Sequence, residues 1–161
     1  GRLGDCIRLS HMKKEYEVLA KKYSLPSFKQ INEDFEIEKL ERESETLLRS
    51  IRKVMMEKIV NSLGFLEMLM NPMNAPRMYI NFVNNVSQED KKRMDKMYSD
   101  LGDISVLALS REIDYDERGE AVLVKKISDA WFSLKKDFRE ILNKIGQPNN
   151  NTVKRERSYF G

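Results

Sequence analysis

The sequence predicts an all-α helical bundle with three main helices, at about 37–70, 88–113 and 117–145, plus short N-terminal and connecting helices. Three observations predict it. Val124, Ile127, Trp131, Leu134, Phe138, Ile141 and Ile145 recur in alternating steps of three and four, the seam by which one helix packs on others. Helix punctuation recurs along the chain, with serine capping signals at Ser27 and Ser87 and stops at Asn71-Pro72 and Gly146. No strand-length alternation bounded by turns occurs, and no internal repeat.

The elements follow in order. Tyr16, Leu19, Ala20 and Tyr23 give an amphipathic stretch over Lys13–Tyr23, broken at Leu25-Pro26. Ser27 and Gln30 form a capping box for a short helix carrying Phe28, Ile31 and Phe35. A long helix is then expected from Ile37 to Met70. Leu40, Leu47, Ile51 and Val54 form its first stripe, and Glu38–Arg42 and Glu45–Arg49 are i,i+4 pairs outside it. Its second half widens through Met55, Met56, Ile59, Val60, Leu63, Phe65, Leu66, Met68, Leu69 and Met70, so it has neighbours on several sides or exposes an apolar patch.

A proline-bounded turn, Pro72 to Pro76, leads through Tyr79, Phe82 and Val83 to the helix that Ser87 opens with Asp90. Met94, Met97, Tyr98, Leu101, Ile104 and Ala108 carry that helix to about Ile113, with a costly Gly102 inside. Asp114-Tyr115-Asp116 is a polar turn before the last helix.

One domain is expected over 12–146. Residues 1–11 read as a cloning-derived or upstream segment, because His11-Met12 resembles a cloning seam and Met12-Lys13-Lys14 a natural start. Residues 147–161 read as a disordered polar, basic tail. The formal net charge of the 161 residues is +3 with 34% charged residues. Removing Arg2, Arg8 and Asp5 with the leading segment lowers it by one unit. A balance this small does not by itself argue for nucleic acid. No apolar run approaches the ~20 residues of a membrane span, and no secretory signal follows Met12, so no membrane association and a cytoplasmic location are expected.

Cys6 and His11 are the single cysteine and histidine, both in the leading segment. Without them the chain lacks the usual neutral-pH proton carrier, thiol nucleophile and imidazole or thiolate metal ligands. A glycine-rich phosphate loop is also missing, and Asp114-x-Asp116 lacks the glycine and final glutamate of a calcium loop. No cofactor is expected. Glu38-x-x-Glu41 supplies half of the paired carboxylate pattern that holds Mg²⁺ in all-α hydrolases, and Glu117-x-x-Glu120 is a second such pair at a helix start, where acids are favoured anyway. A Mg²⁺-dependent hydrolase is therefore a third reading.

The first reading is a non-enzymatic bundle that binds a protein partner or a second copy of itself. Its expected contact surface is Phe65, Leu66, Leu69, Met70 and Met73, at the methionine-rich end of the long helix. The alternative is a nucleic-acid- or ribosome-associated protein. It would use Lys91, Lys92, Arg93 and Lys96 at a helix start, with Lys154, Arg155 and Arg157 in the tail.

Overall fold

The computed structural model describes residues 1–41, 46–71, 73 and 76–146. They form an all-α bundle, and no strand occurs among the described residues. The helices are α1 (Arg2–Tyr23), α2 (Phe28–Phe35), α3 (Leu47–Met70), the one-turn α4 (Ile80–Val83), α5 (Gln88–Ile113) and α6 (Glu117–Ile145). The last three of the long helices in chain order, α3, α5 and α6, pack on one another to make the core.

Ion pairs give their directions. Arg49 and Arg52, near the start of α3, reach Glu112 at the end of α5, and Arg52 also reaches Glu120 at the start of α6. Arg93, near the start of α5, reaches Asp137 and Glu140 late in α6. Thus α5 runs antiparallel to both α3 and α6. The seam from Val124 to Ile145 is buried at every expected position. Met94, Met97, Leu101, Ile104 and Ala108 bury the facing stripe of α5.

The caps match their sequence signals. Ser27 and Gln30 form a reciprocal box at α2, and Ser87 and Asp90 do so at α5. Asp116 accepts from the Gly119 amide to start α6. Helix α2 then lays Phe28, Ile31 and Phe35 across the bundle, where Phe28 meets Tyr16 edge-on and Phe35 stands 6.1 Å from Trp131. Lys58 covers this cluster, its ammonium 4.9 Å from the Trp131 ring centre.

Two boundaries differ from expectation. Helix α1 begins at Arg2 and passes through the buried Met12 without a break, with Leu9 packed partly against the core. The long helix begins at Leu47, not Ile37. Glu36 ends α2 in the left-handed region, at φ 51° and ψ 44°. Ile37–Lys39 form a 3₁₀ turn and Leu40 is extended. The turn drives Ile37 fully into the core, and the Asn32 side-chain oxygen accepts from the Glu38 amide at 2.9 Å. Burial of Ile37 and a side-chain partner for an otherwise orphaned amide together favour the turn over a continuous helix. The expected Glu38–Arg42 and Glu45–Arg49 pairs involve Arg42 and Glu45, which lie outside the described residues, as do Pro72 and the tail.

Candidate functional site

The methionine-rich end of α3 does not present the expected surface. Leu66 and Leu69 are fully buried in the core. Phe65 and Met70 pack partly against it, and of the five only Met73 is exposed. The width of the apolar stripe is accounted for by neighbours, since α3 packs against α1, α2, α5 and α6. A helix enclosed on several sides needs apolar residues around most of its girth. Leu66 and Leu69 are therefore corrected from contact residues to core residues.

An apolar surface does exist, on the outward face of α5. Val106, Leu109 and Ile113 are 66%, 64% and 82% exposed. With Gly102 and Tyr98 they recur every three or four residues, which places them on one face. At ~100° per residue that face lies about a third of a turn from the core stripe of the same helix. A Cβ added to Gly102 would meet nothing within 4 Å, so the glycine leaves an open notch in the stripe. The polar atoms beside it are satisfied within the helix. Ser105 Oγ donates to the Leu101 carbonyl at 2.9 Å and Ser110 Oγ to the Leu107 carbonyl at 2.7 Å. Covering this face would strand neither hydroxyl.

At the C-terminal end of α5 lies a buried charge network that the sequence reading did not anticipate. Arg52 grips Glu120 bidentately, Nε to Oε2 at 2.7 Å and Nη2 to Oε1 at 3.0 Å, with both side chains almost wholly buried. Arg52 Nη1 donates to Glu112 Oε1 at 2.6 Å, and Arg49 Nη2 donates to Glu112 Oε2 at 3.2 Å. Burial works against the Arg52 charge, but Glu120 and Glu112 outweigh it and raise its pKa further. The Arg52 guanidinium in turn holds Glu112 below the usual carboxylate range. A signal for this network exists in the sequence. Arg52 sits one turn from Leu48 and Met56, and Glu120 one turn before Val124, so opposite charges occupy core registers on two helices.

The expected basic residues divide. Lys91, Lys92 and Lys96 are exposed and form no ion pair among the described residues. Arg93 is withdrawn from that surface because it bridges to Asp137 at 2.7 Å and to Glu140. Those bonds raise its pKa and lower that of Glu140. Arg93 is therefore corrected to a clamp between α5 and α6. Lys144 donates to the buried Asp90 at 3.0 Å. Burial alone would raise Asp90, but Lys144 and Ser87 bring it below its ordinary value. Lys154, Arg155 and Arg157 lie outside the described residues.

Glu38 lies in the 3₁₀ turn and Glu41 beyond it, so they do not share a helical face as the Mg²⁺ reading required. Among the described residues, no group of three or more His, Cys, Asp or Glu is placed to hold a metal ion. A groove of about 550 Å³ runs between α2 and α6, where Leu25, Pro26 and the exposed Phe132 sit beside Glu33, Asp34, Asp129, Lys125 and Lys135. Its charges are mixed, and Lys135 already pairs with Asp34. Among the described residues no helix is long and apolar enough to cross a membrane. No protein-family model, curated protein or solved structure matches the chain.

Proposed function

We propose that this protein works by docking to another polypeptide, through the outward face of α5, and not by catalysis. The observation that carries this reading is the set of three large aliphatics, Val106, Leu109 and Ile113, exposed together on one face of a helix whose core stripe, about a third of a turn away, is already packed. Scattered exposed aliphatics are ordinary, but a contiguous row marks a contact surface. Fully burying one such side chain is worth roughly 1.5–3 kcal/mol, so covering all three supplies about 3–6 kcal/mol after allowing for the part already buried. That is comparable with the lower range of association costs, roughly 4 kcal/mol upward.

The test compares the intact chain with Val106→Asp and Leu109→Asp as affinity baits in nuclease-treated extract, after matching their thermal midpoints. Both substitutions fall on exposed positions, so folding is expected to be unaffected. Polypeptides held by the intact chain and lost from both variants support the reading. Identical retained sets for all three baits would overturn it.

A second reading has its own observation. Lys91, Lys92 and Lys96 stay unpaired while the nearby carboxylates of Asp90, Asp137 and Glu140 are occupied by Lys144 and Arg93. Phosphate contact there would give affinity for nucleic acid that falls steeply with salt. Flat binding between low and moderate salt, or unchanged binding after Lys91→Ala/Lys92→Ala/Lys96→Ala, would dismiss it.

A further inference from the structure

A cleft of about 320 Å³ opens between the end of α5 and the start of α6. Arg118, Val122 and Lys126 line it at i,i+4 steps along one face of α6, and Leu107 and Arg111 line it from α5. Asp116 supplies the single carboxylate of its lining, and none of Val106, Leu109 and Ile113 belongs to it. We infer that this cleft binds a phosphate monoester carrying an apolar body. Arg111 grips the phosphate, Arg118 and Lys126 complete its neutralisation, and Leu107 and Val122 hold the body.

Arg111 carries the inference. The other arginines set between helices have their donors engaged, Arg49 and Arg52 by Glu112 and Glu120, Arg93 by Asp137 and Glu140. Arg111 makes no hydrogen bond among the described residues, and its ion partner, Asp116, stands at 3.7 Å, beyond hydrogen-bond reach. Yet its side chain is only 29% exposed, because it lies across the first turn of α6 at Gly119. A Cβ at that position would collide with the guanidinium, so it is the missing side chain that makes room for it. A guanidinium held in place with unengaged donors presents a planar fork to whatever enters the cleft, the geometry that pairs bidentately with an oxyanion.

The surrounding charges select phosphate. Neighbouring acids are already engaged: Glu112 by Arg49 and Arg52, Glu117 by Tyr23 and Lys22, Glu120 by Arg52, while Asp116 accepts from the Gly119 amide. Arg118 and Lys126 form no ion pair among the described residues. Three cations against one carboxylate match the charge of about −1.5 to −2 on a phosphate monoester better than the single charge of a carboxylate ligand. Leu107 and Val122, 41% and 48% exposed, give the rest of the molecule an apolar wall. Lys91, Lys92 and Lys96 lie roughly 20–30 Å away toward the start of α5, so the cleft is separate from that basic face.

The experiment is isothermal titration calorimetry of the full chain with phenyl phosphate, with benzoate as the monoanionic control and thermal midpoints matched across variants. Phenyl phosphate is expected to bind, and benzoate more weakly. Arg111→Ala should weaken phenyl phosphate by about tenfold or more, the effect of losing charge-assisted bonds, and Arg111→Lys should not restore it because an ammonium lacks the fork. Gly119→Ala keeps the arginine but displaces its guanidinium, so it should weaken binding as well. Vesicles of phosphatidylcholine with phosphatidic acid separate the two sources of such a group. Co-sedimentation that Arg111→Ala abolishes assigns the phosphate to a lipid headgroup, and its absence beside phenyl phosphate binding assigns it to a soluble ester. No binding of either probe overturns the inference, as does benzoate bound equally well. So does binding that Arg111→Ala and Gly119→Ala leave unchanged, or that Lys91→Ala/Lys92→Ala/Lys96→Ala removes instead.

Discussion

Replacing Arg52 by Met tests whether the buried network is sealed from water. Arg52 and Glu120 have side chains 3% and 0% exposed, while Glu112 is 40% exposed. Met keeps most of the side-chain volume but removes every donor. Glu112 then rehydrates, and its bond to Arg52 should account for no more than about 1 kcal/mol, as for exposed pairs. Glu120 has no such escape. Leaving a buried charge without its partner costs about 3–5 kcal/mol. For a chain of this length, ~2–4 °C per kcal/mol converts that to a fall in Tm of roughly 6–20 °C. The assay is urea unfolding followed by helical circular dichroism and by Trp131, the single tryptophan. The companion is Arg52→Met/Glu120→Leu, which removes both charges. It should recover most of the loss, because apolar replacement of a whole buried pair is often neutral or stabilising. A loss below about 1 kcal/mol for Arg52→Met would refute the reasoning, since it would mean water reaches Glu120 in the folded state.

Other expectations follow from the same structure. Leu66→Ala should destabilise by about 2–5 kcal/mol in urea unfolding, the range for a fully buried leucine; a change under about 1 kcal/mol would return Leu66 to the surface. Gly64 lies inside α3 with open space around a built Cβ, so Gly64→Ala should raise stability by about 0.5–1 kcal/mol, measured by the same unfolding curve. At Gly119 a Cβ would press against the Arg111 guanidinium, so Gly119→Ala should come out near neutral in the same unfolding curve, the helix gain offset by moving Arg111 off its pair with Asp116. Asp90, Glu112, Glu117 and Glu140 all have folded pKa values below their ordinary ones. Their contribution is complete above the unfolded values of ~4 and is lost as pH falls through the lower folded values. The urea midpoint should therefore be flat from about pH 7 to 5 and drop below about pH 4; a midpoint that rises on acidification would contradict the four assignments.

The sequence discloses elements wherever periodicity and punctuation agree. Helix α6 reads correctly from Asp116 to Gly146 because its seam is regular and both ends are marked. The start of α3 does not, because neither glycine nor proline occurs between Phe28 and Leu63. The turn is made instead by Glu36 in a left-handed conformation, a residue that gives no advance sign of it. The surface on α5 is hidden for a related reason. Val106, Leu109 and Ile113 have the same spacing as core residues, and hydrophobicity alone cannot tell a second face from a first. Leu66 and Leu69 failed in the opposite direction, since a wide stripe reads equally as enclosed or as exposed until its neighbours are known.

A helix with two apolar faces needs something besides hydrophobicity to choose which one turns inward. The core stripe of α5 is a weak selector. It includes Met94, Met97 and Ala108, and methionine adapts to many surroundings. Rotation by about a third of a turn would bury Val106, Leu109 and Ile113 and expose that stripe, at little net change in apolar area. Charges fix the choice at both ends. Asp90 is held by Lys144 and Ser87, and Arg93 by Asp137 and Glu140, at the start of the helix. Glu112 is held by Arg49 and Arg52 at its end. Rotating α5 would break all of these bonds to α3 and α6 at once, leaving only its own Ser87–Asp90 cap, and Arg52 is already committed to Glu120 in the dry interior. The buried pair thus anchors a clamp that adds less to net stability than to orientation, and orientation is what leaves the aliphatic row of α5 facing outward.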